Sequence, residues 1–253
     1  MKLTSSREWA RQQGVFHPAN RLMLQSLPPD MGVYIPKYIS KPLDRGFGFK
    51  FGIFAGIHGD EEAGTLAVQE LIEWAADMPE ALGDYELHLF PCCNPTGRNF
   101  GTRHSGRGYD LNREFWYNSI EPEVIFLESE LRRERYDGII SLHSDDDADG
   151  CYGFVSGSLL SAHLLEPALR AAAHHIPHDD HPIIDGFLAK GGIITEAYLG
   201  VLSAPPEQTP KPLEIVFETP ALVPMRDQVA ASVAAVKTIL AEYRKLQAFA
   251  PNL

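Results

Sequence analysis

Short apolar runs alternate with longer segments whose apolar residues recur at helical spacing, and that alternation limits the chain to few architectures. "FGFKFGIFAG" (47–56), "YELHLFPCC" (85–93), "DGIISLH" (137–143) and "LEIVFETP" (213–220) read as strands. "TLAVQELIEWAAD" (65–77), "PEVIFLESELRRERY" (122–136), "LLSAHLLEPALRAAAHH" (159–175) and "MRDQVAASVAAVKTILAEYRKL" (225–246) read as helices. "NPTG" (94–97) reads as a turn, and the polar, glycine-rich stretch from Arg98 to Arg113 as a long surface loop of the kind that carries function. Strands alternating with helices build a largely parallel or mixed sheet covered on both faces. The expectation is an α/β protein with one domain over 1–253. It is a three-layer α/β/α sandwich around a central mixed, largely parallel twisted sheet.

Charge narrows the partners. Acidic residues outnumber basic ones by 34 to 22, a formal net charge of −12, which argues against nucleic acid and anionic membrane. No eighteen apolar residues run together, and the start, "MKLTSSREWARQQG", lacks the apolar core of a signal peptide, so a soluble, cytoplasmic protein is expected. Cys92, Cys93 and Cys151 are too few for a disulfide framework and read as buried thiols.

In such sheets, function gathers at the carboxyl ends of the strands. His58, Asn94, His143 and Glu218 all fall at or just past predicted strand ends. In "GIHGDEEAG" (56–64), His58 and Glu61 are three apart, so a loop entering a helix can turn both toward one point. His143, ending its own strand, is the third candidate. Two imidazoles and one carboxylate suit a catalytic zinc, which takes three protein ligands and keeps a place for water. Glu62 lies about 100° further round a helix and suits the positive helix N-terminus instead. Each motif alone is weak. Arg103 and Arg107 read equally as solvated loop charges, Asp110 as a turn cap, and Glu218 as an outward-facing strand residue.

Taken together, "HGDE", "NPTGRNFGTRHSGRGYDLNREF" (94–115), "SLH" and "FETP" resemble, in order and spacing over residues 56–220, the zinc metallocarboxypeptidase family typified by carboxypeptidase A. The resemblance implies one zinc ion held by His58, Glu61 and His143, with Asp110 orienting the first histidine. It implies that Asn112 and Arg113 hold the substrate's terminal carboxylate, that Arg103 stabilises the oxyanion and that Glu218 is general base and acid. Tyr198 would be the mobile tyrosine that closes over substrate. "HGDE" and the short length point to a compact bacterial branch that includes enzymes trimming cell-wall (murein) peptides, so the implied substrate is a small peptide cleaved at its C-terminal amide. The related succinylglutamate desuccinylase and aspartoacylase group shares the ligands, the Asn-Arg pair and the glutamate but cleaves N-acyl amino acids. The Arg103-to-Arg113 spacing and "NPTG" lean toward the peptidase. A metal-retaining, non-catalytic binding module is a third reading, against which Glu218 and Arg103 argue.

Two features depart from that pattern. Glu114 follows the Asn-Arg pair where the family often has asparagine, placing an extra acid near the carboxylate clamp. Asp145, Asp147 and Asp149 before Gly150 imitate the start of an EF-hand loop, but its twelfth position is Ser156. They read as a solvated acidic rim favouring substrates with an amino group near the scissile bond. His174, His175, His178 and His181, with Asp179 and Asp180, lie at a helix end without a partner motif. No H-E-x-x-H, G-x-S-x-G, Walker A or G-x-G-x-x-G pattern is present. Side-chain preference is left to the weakly patterned region 185–212.

Overall fold

The structure, a computed structural model, describes residues 23–25, 32–42, 48–157 and 160–249. The amino-terminal stretch read for a signal peptide lies outside them, as do Phe47 and Leu159 at the starts of an expected strand and helix. In chain order the strands are β1 (Met23–Gln25), β2 (Lys37–Ser40), β3 (Phe49–Ala55), β4 (Tyr85–Phe90), β5 (Gly138–Asp145), β6 (Tyr152–Gly157), β7 (Ile183–Ile184), β8 (Phe187–Lys190), β9 (Ile193–Ile194) and β10 (Leu213–Pro220). They form a mixed sheet in the order β1-β2-β4-β3-β5-β10-β6-β9-β8-β7. Its centre, β4-β3-β5-β10, is parallel throughout, and antiparallel strands flank it on both sides. The central strands are apolar on both faces because both faces are covered.

The helices are α1 (Glu62–Asp77), α2 (Pro79–Leu82), α3 (Pro95–Phe100), α4 (Pro122–Glu134), α5 (Leu160–Ala172) and α6 (Met225–Phe249). In α1, Ala63, Ala67, Val68, Leu71, Ile72 and Ala75 form one buried stripe, the three-and-four spacing that lays a helix on a sheet. With α5 and α6 it covers one face, burying Phe51, Ile53, Ile140, Leu142, Ile215 and Phe217. On the opposite face Val124, Leu127 and Leu131 of α4 meet Phe54, Phe90 and Ile139. The three-layer α/β/α expectation holds. Among the described residues no helix is long and apolar enough to cross a membrane.

Two expectations are corrected. "NPTG" is not an isolated turn: Asn94 caps α3, its Oδ1 accepting from Gly97 N at 2.8 Å, and Pro95 takes the first helical position. Region 185–212 is also less formless than its sequence, since β8 and β9 extend the sheet beyond β6 and Tyr198 packs against Phe187.

α4 covers only one half of its face. Beyond β5, toward β10 and β6, that face is open and becomes the wall of a cavity.

Candidate active site

Register builds this wall. Across β5, β10 and β6, the side chains pointing into the cavity form three rungs: His143–Glu218–Tyr152, then Ser141–Val216–Phe154, then Ile139–Glu214–Ser156. The first rung lies at the carboxyl ends of β5 and β10. The cavity has a volume of about 250 Å³, and Arg103, Asn112, Arg113, Asp185 and Tyr198 complete its mouth.

β3 delivers the opening motif to the same end. Gly56, with φ +63°, takes the left-handed turn that lets the chain leave the strand. Cys93 N and Asn94 N donate to Ala55 O and Gly56 O and fix the neighbouring loop beside it. Asn94 Nδ2 reaches Ile57 O at 3.1 Å and Arg103 O at 3.3 Å, so one buried amide ties the HGDE loop to the long polar loop. A methyl group on Gly59 would lie 2.1 Å from the Gly97 carbonyl carbon and 2.2 Å from Arg98 N. Gly59→Ala is therefore expected to push these loops apart, costing about 1–3 kcal/mol and weakening metal binding. Melting curves with and without zinc check both effects. Unchanged curves would show that this close packing is dispensable.

His58, Glu61 and His143 converge. Glu61 Oε1 lies 2.5 Å from His58 Nδ1, Glu61 Oε2 lies 2.9 Å from His143 Nδ1, and the two Nδ1 atoms are 3.3 Å apart. The candidate ligand atoms all fall within 4.8 Å of one another. Bond lengths of 2.0–2.1 Å about a tetrahedral zinc put ligand nitrogens roughly 3.3–3.4 Å apart. The outward ring nitrogens face oxygens, as a metal site requires: His143 Nε2 meets Ser141 Oγ at 2.9 Å, while His58 Nε2 makes no hydrogen bond but lies 3.3 Å from Asp110 Oδ1. With Nε2 protonated toward those oxygens, both Nδ1 lone pairs face inward. The donor set, its spacing and its outer partners thus fit one divalent ion. The only other such cluster among the described residues, Glu86–His88–Glu134, is already neutralised. Lys50 and Lys37 Nζ lie 2.9 and 3.1 Å from the two oxygens of Glu134.

Electrostatics agree with a cation-seeking centre. Burial raises the pKa of Glu61, but the charge and hydrogen bond of His143 and the contacts of His58 outweigh it and hold the pKa at about 2. Burial opposes a charged His58, yet Asp110 and Glu61 raise its pKa. Asp110 resists the upward pull of burial through His58 and Arg103 and stays far below the ordinary carboxylate range. Glu218, by contrast, is pushed up to about 8, chiefly by burial, with Glu61, Asp145 and Asp185 adding to the shift against the pull of His143.

The other expected residues lie around this centre. Arg103 Nε and Nη2 each sit 3.1 Å from Asp110 Oδ2, with Nη1 3.7 Å from Glu61 Oε1. Asp110 also caps the single turn Leu111–Arg113 that carries the Asn-Arg pair. Asn112 Oδ1 accepts from Leu202 N at 2.9 Å, and the Arg113 guanidinium lies 4.2 Å from the Tyr198 ring centroid. Glu114 corrects the expectation of an extra acid at the clamp: it does not line the cavity, and its Oε2 accepts from Ser119 Oγ.

Asp145, Asp146 and Asp147 do line the cavity, but the EF-hand likeness ends there. Asp145 Oδ2 accepts from Tyr152 OH at 2.8 Å and Oδ1 from Asp147 N at 3.0 Å. Among the histidines at 174–181, His178 and His181 face Asp180 and Asp179 at 2.8 and 2.7 Å, and none joins the site. Asp185, Tyr152 and Gln228 were not singled out from sequence. Gln228, buried, accepts from Ser144 Oγ and donates to Ala221 O and Val223 O, pinning the ends of β5 and β10 together. Only the register and the α6 contact reveal them.

Comparison with known proteins agrees with this fold. Residues 48–178, just over half of the chain, match the succinylglutamate desuccinylase/aspartoacylase catalytic domain. Carboxypeptidase SOL1 of Arabidopsis thaliana is 28% identical over 109 residues, covering 37% of this chain and only 22% of that protein. A metallo-carboxypeptidase from Burkholderia cenocepacia superposes with a TM-score of 0.73 at 18% identity, covering 96% of this chain and 70% of that one. A metallo-carboxypeptidase from Pseudomonas aeruginosa superposes at 0.70 and 19%, with the same coverage. At these identities the two solved structures establish the fold. By the catalytic-domain match, the chain belongs to the succinylglutamate desuccinylase/aspartoacylase family, built on the metallo-carboxypeptidase fold.

Proposed function

We propose that this protein is a zinc-dependent amide hydrolase that cleaves a C-terminal amide bond of a small peptide, with murein-derived peptides among the fitting substrates. The observation that carries the reading is the convergence of His58, Glu61 and His143 at the mouth of a cavity that also holds Asn112 and Arg113. An ion bound there would supply Lewis acidity, lowering the pKa of a water molecule and polarising the scissile carbonyl. Glu218 accepts the proton from the attacking water and later delivers it to the leaving amine. Arg103 faces the negative charge developing on the carbonyl oxygen, where one well-placed donor contributes about 3–4 kcal/mol. Arg113 offers a carboxylate two parallel hydrogen bonds from a planar fork, and Asn112, its carbonyl oxygen tied to Leu202 N, turns its amide to the same task. Tyr198, stacked on Arg113, covers the bound end.

Deacylation of an N-acyl amino acid is the second reading, favoured by the family match. The acidic lining around the centre weighs against an acidic acyl group such as succinyl. A second cavity, which shares Glu61, Arg103, Ser144 and Asp146 with the first, is also lined by Asp60 and by Glu62, which pairs with Arg98 at 3.4 Å. These acids repel a second carboxylate and attract an aminoacyl ammonium group. The Pseudomonas aeruginosa neighbour was solved with (2-guanidinoethylmercapto)succinic acid, and a small carboxylate-bearing substrate agrees with both readings. Zinc-loaded protein offered short peptides and N-acyl amino acids in parallel is expected to release the C-terminal residue of the peptides. Turnover of N-acyl amino acids alone would reverse the ranking, and turnover of neither would refute both.

A further inference from the structure

The wall rungs carry a second chemistry away from the reacting end. The middle rung, Ser141–Val216–Phe154, is largely apolar, and Val201 and Leu202 lie across from it. The last rung presents Glu214 between Ile139 and Ser156. Glu214 Oε1 accepts from Ala204 N at 2.6 Å and Oε2 from Ser156 Oγ at 2.7 Å. Both donors are neutral, and Glu214 has no ion-pair partner among the described residues. The arginines that line the cavity are engaged at its mouth, Arg103 with Asp110 and Arg113 over Tyr198. A carboxylate thus stands at the end of the cavity wall away from Glu218, beside the exposed Ser156, held in place by neutral donors and without an ion pair among the described residues.

Glu214 and Glu218 point to the same side of β10, four residues apart, so their backbones are separated by about 13 Å. A cavity of about 250 Å³ suits one amino-acid residue rather than a long ligand. We infer that Glu214 selects the residue released by the reaction, favouring a long aliphatic side chain that ends in an ammonium or guanidinium group. The methylenes of such a side chain lie along Val216, Phe154 and Leu202, and its cationic tip reaches Glu214 and Ser156 Oγ. This rests on the reading that Asn112 and Arg113 clamp the carboxylate of that residue. It holds alike for peptide and N-acyl substrates, since both release an amino acid.

The test uses product binding, which does not depend on turnover. L-lysine and L-norleucine, nearly equal in shape and different in charge, are titrated calorimetrically into zinc-loaded protein. The wild type is expected to bind lysine at least about tenfold more tightly, the range of one charge-assisted contact. Glu214→Gln keeps an oxygen for Ala204 N and an amide for Ser156, and is expected to bring the ratio near one. Equal affinities in the wild type would overturn the inference without reference to any variant. So would a preference that survives Glu214→Gln, and Asp185→Asn then asks whether the mouth is its source. A protein that prefers lysine but hydrolyses neither substrate class would leave Glu214 in this role and refute only the proposed reaction.

Discussion

Glu218→Gln is expected to fold, to bind zinc like the wild type, and to turn over substrate about 10²–10⁴-fold more slowly, the contribution of a positioned general base and acid. Glutamine keeps the size and the hydrogen-bonding reach of the side chain but can neither take nor give the proton. The proposed metal ligands lie in the loop between β3 and α1 and on β5, and are untouched. Single-turnover rates alongside zinc analysis give both halves of the result, and a variant as active as the wild type would mean that the base is another residue.

The same substitution has a stability signature in the metal-free protein. The pKa of Glu218 is raised to about 8 from an ordinary 4.5. Between those values the folded chain keeps a proton that the unfolded chain has lost, so stability falls as pH rises through this window and levels off above it. Glutamine has no such loss. The variant should therefore melt with the wild type near about pH 5 and above it near about pH 8.5. A bound cation favours the carboxylate, which makes the base form available to the loaded enzyme near neutral pH. A melting difference that stays flat with pH would show that Glu218 is ionised in the folded, metal-free protein.

The convergence of His58, Glu61 and His143 follows from local pattern and strand topology. His58, His143 and Glu218 stand at the ends of apolar runs, and parallel strands bring such ends to one edge. Glu61 was legible because a helix start fixes its direction relative to His58. Asp110 and the Asn-Arg pair were legible because one capped turn carries all three. "NPTG" failed for a defined reason: a β-turn and the first turn of a helix begin alike, and the Arg98 N to Asn94 O bond that continues the helix leaves no mark in composition. Glu114 failed because it ends the turn that carries Arg113 and its carboxylate accepts from Ser119 Oγ, away from the cavity lining.

What stayed illegible depends on pairing between distant segments. Glu214 alternates with Ile215 as any strand residue would, and only its register with Ile139 and Ser156 places it on the cavity wall. Asp185 sits with φ +50° between β7 and β8, strands of two and four residues that carry too little periodicity to read. Gln228 looks like an ordinary polar position of α6 until its buried amide is found joining four groups at the sheet edge. A polar residue whose neighbours are all remote in sequence has no local signature.

His143→Ala is expected to abolish the stabilisation that zinc gives the wild type, and activity with it. A ligand present at a hundred times its dissociation constant adds about 2.7 kcal/mol to the folded state. In a chain of this length that is a rise in melting temperature of roughly 5–10 °C. The substitution leaves one imidazole and one carboxylate, and it also removes the partner that turns Glu61 Oε2 inward. Loss of the buried ring itself lowers the metal-free melting temperature, so the informative quantity is the shift on adding zinc, measured for each protein against its own chelated form. His178→Ala and His181→Ala serve as controls, since those side chains pair with Asp180 and Asp179 away from the cavity. They should keep the full shift. If His143→Ala kept the shift and the controls lost it, the stabilising ion would belong to the 174–181 cluster. Glu218 and Arg103 would then face a centre without metal, and the hydrolytic reading would lose its electrophile.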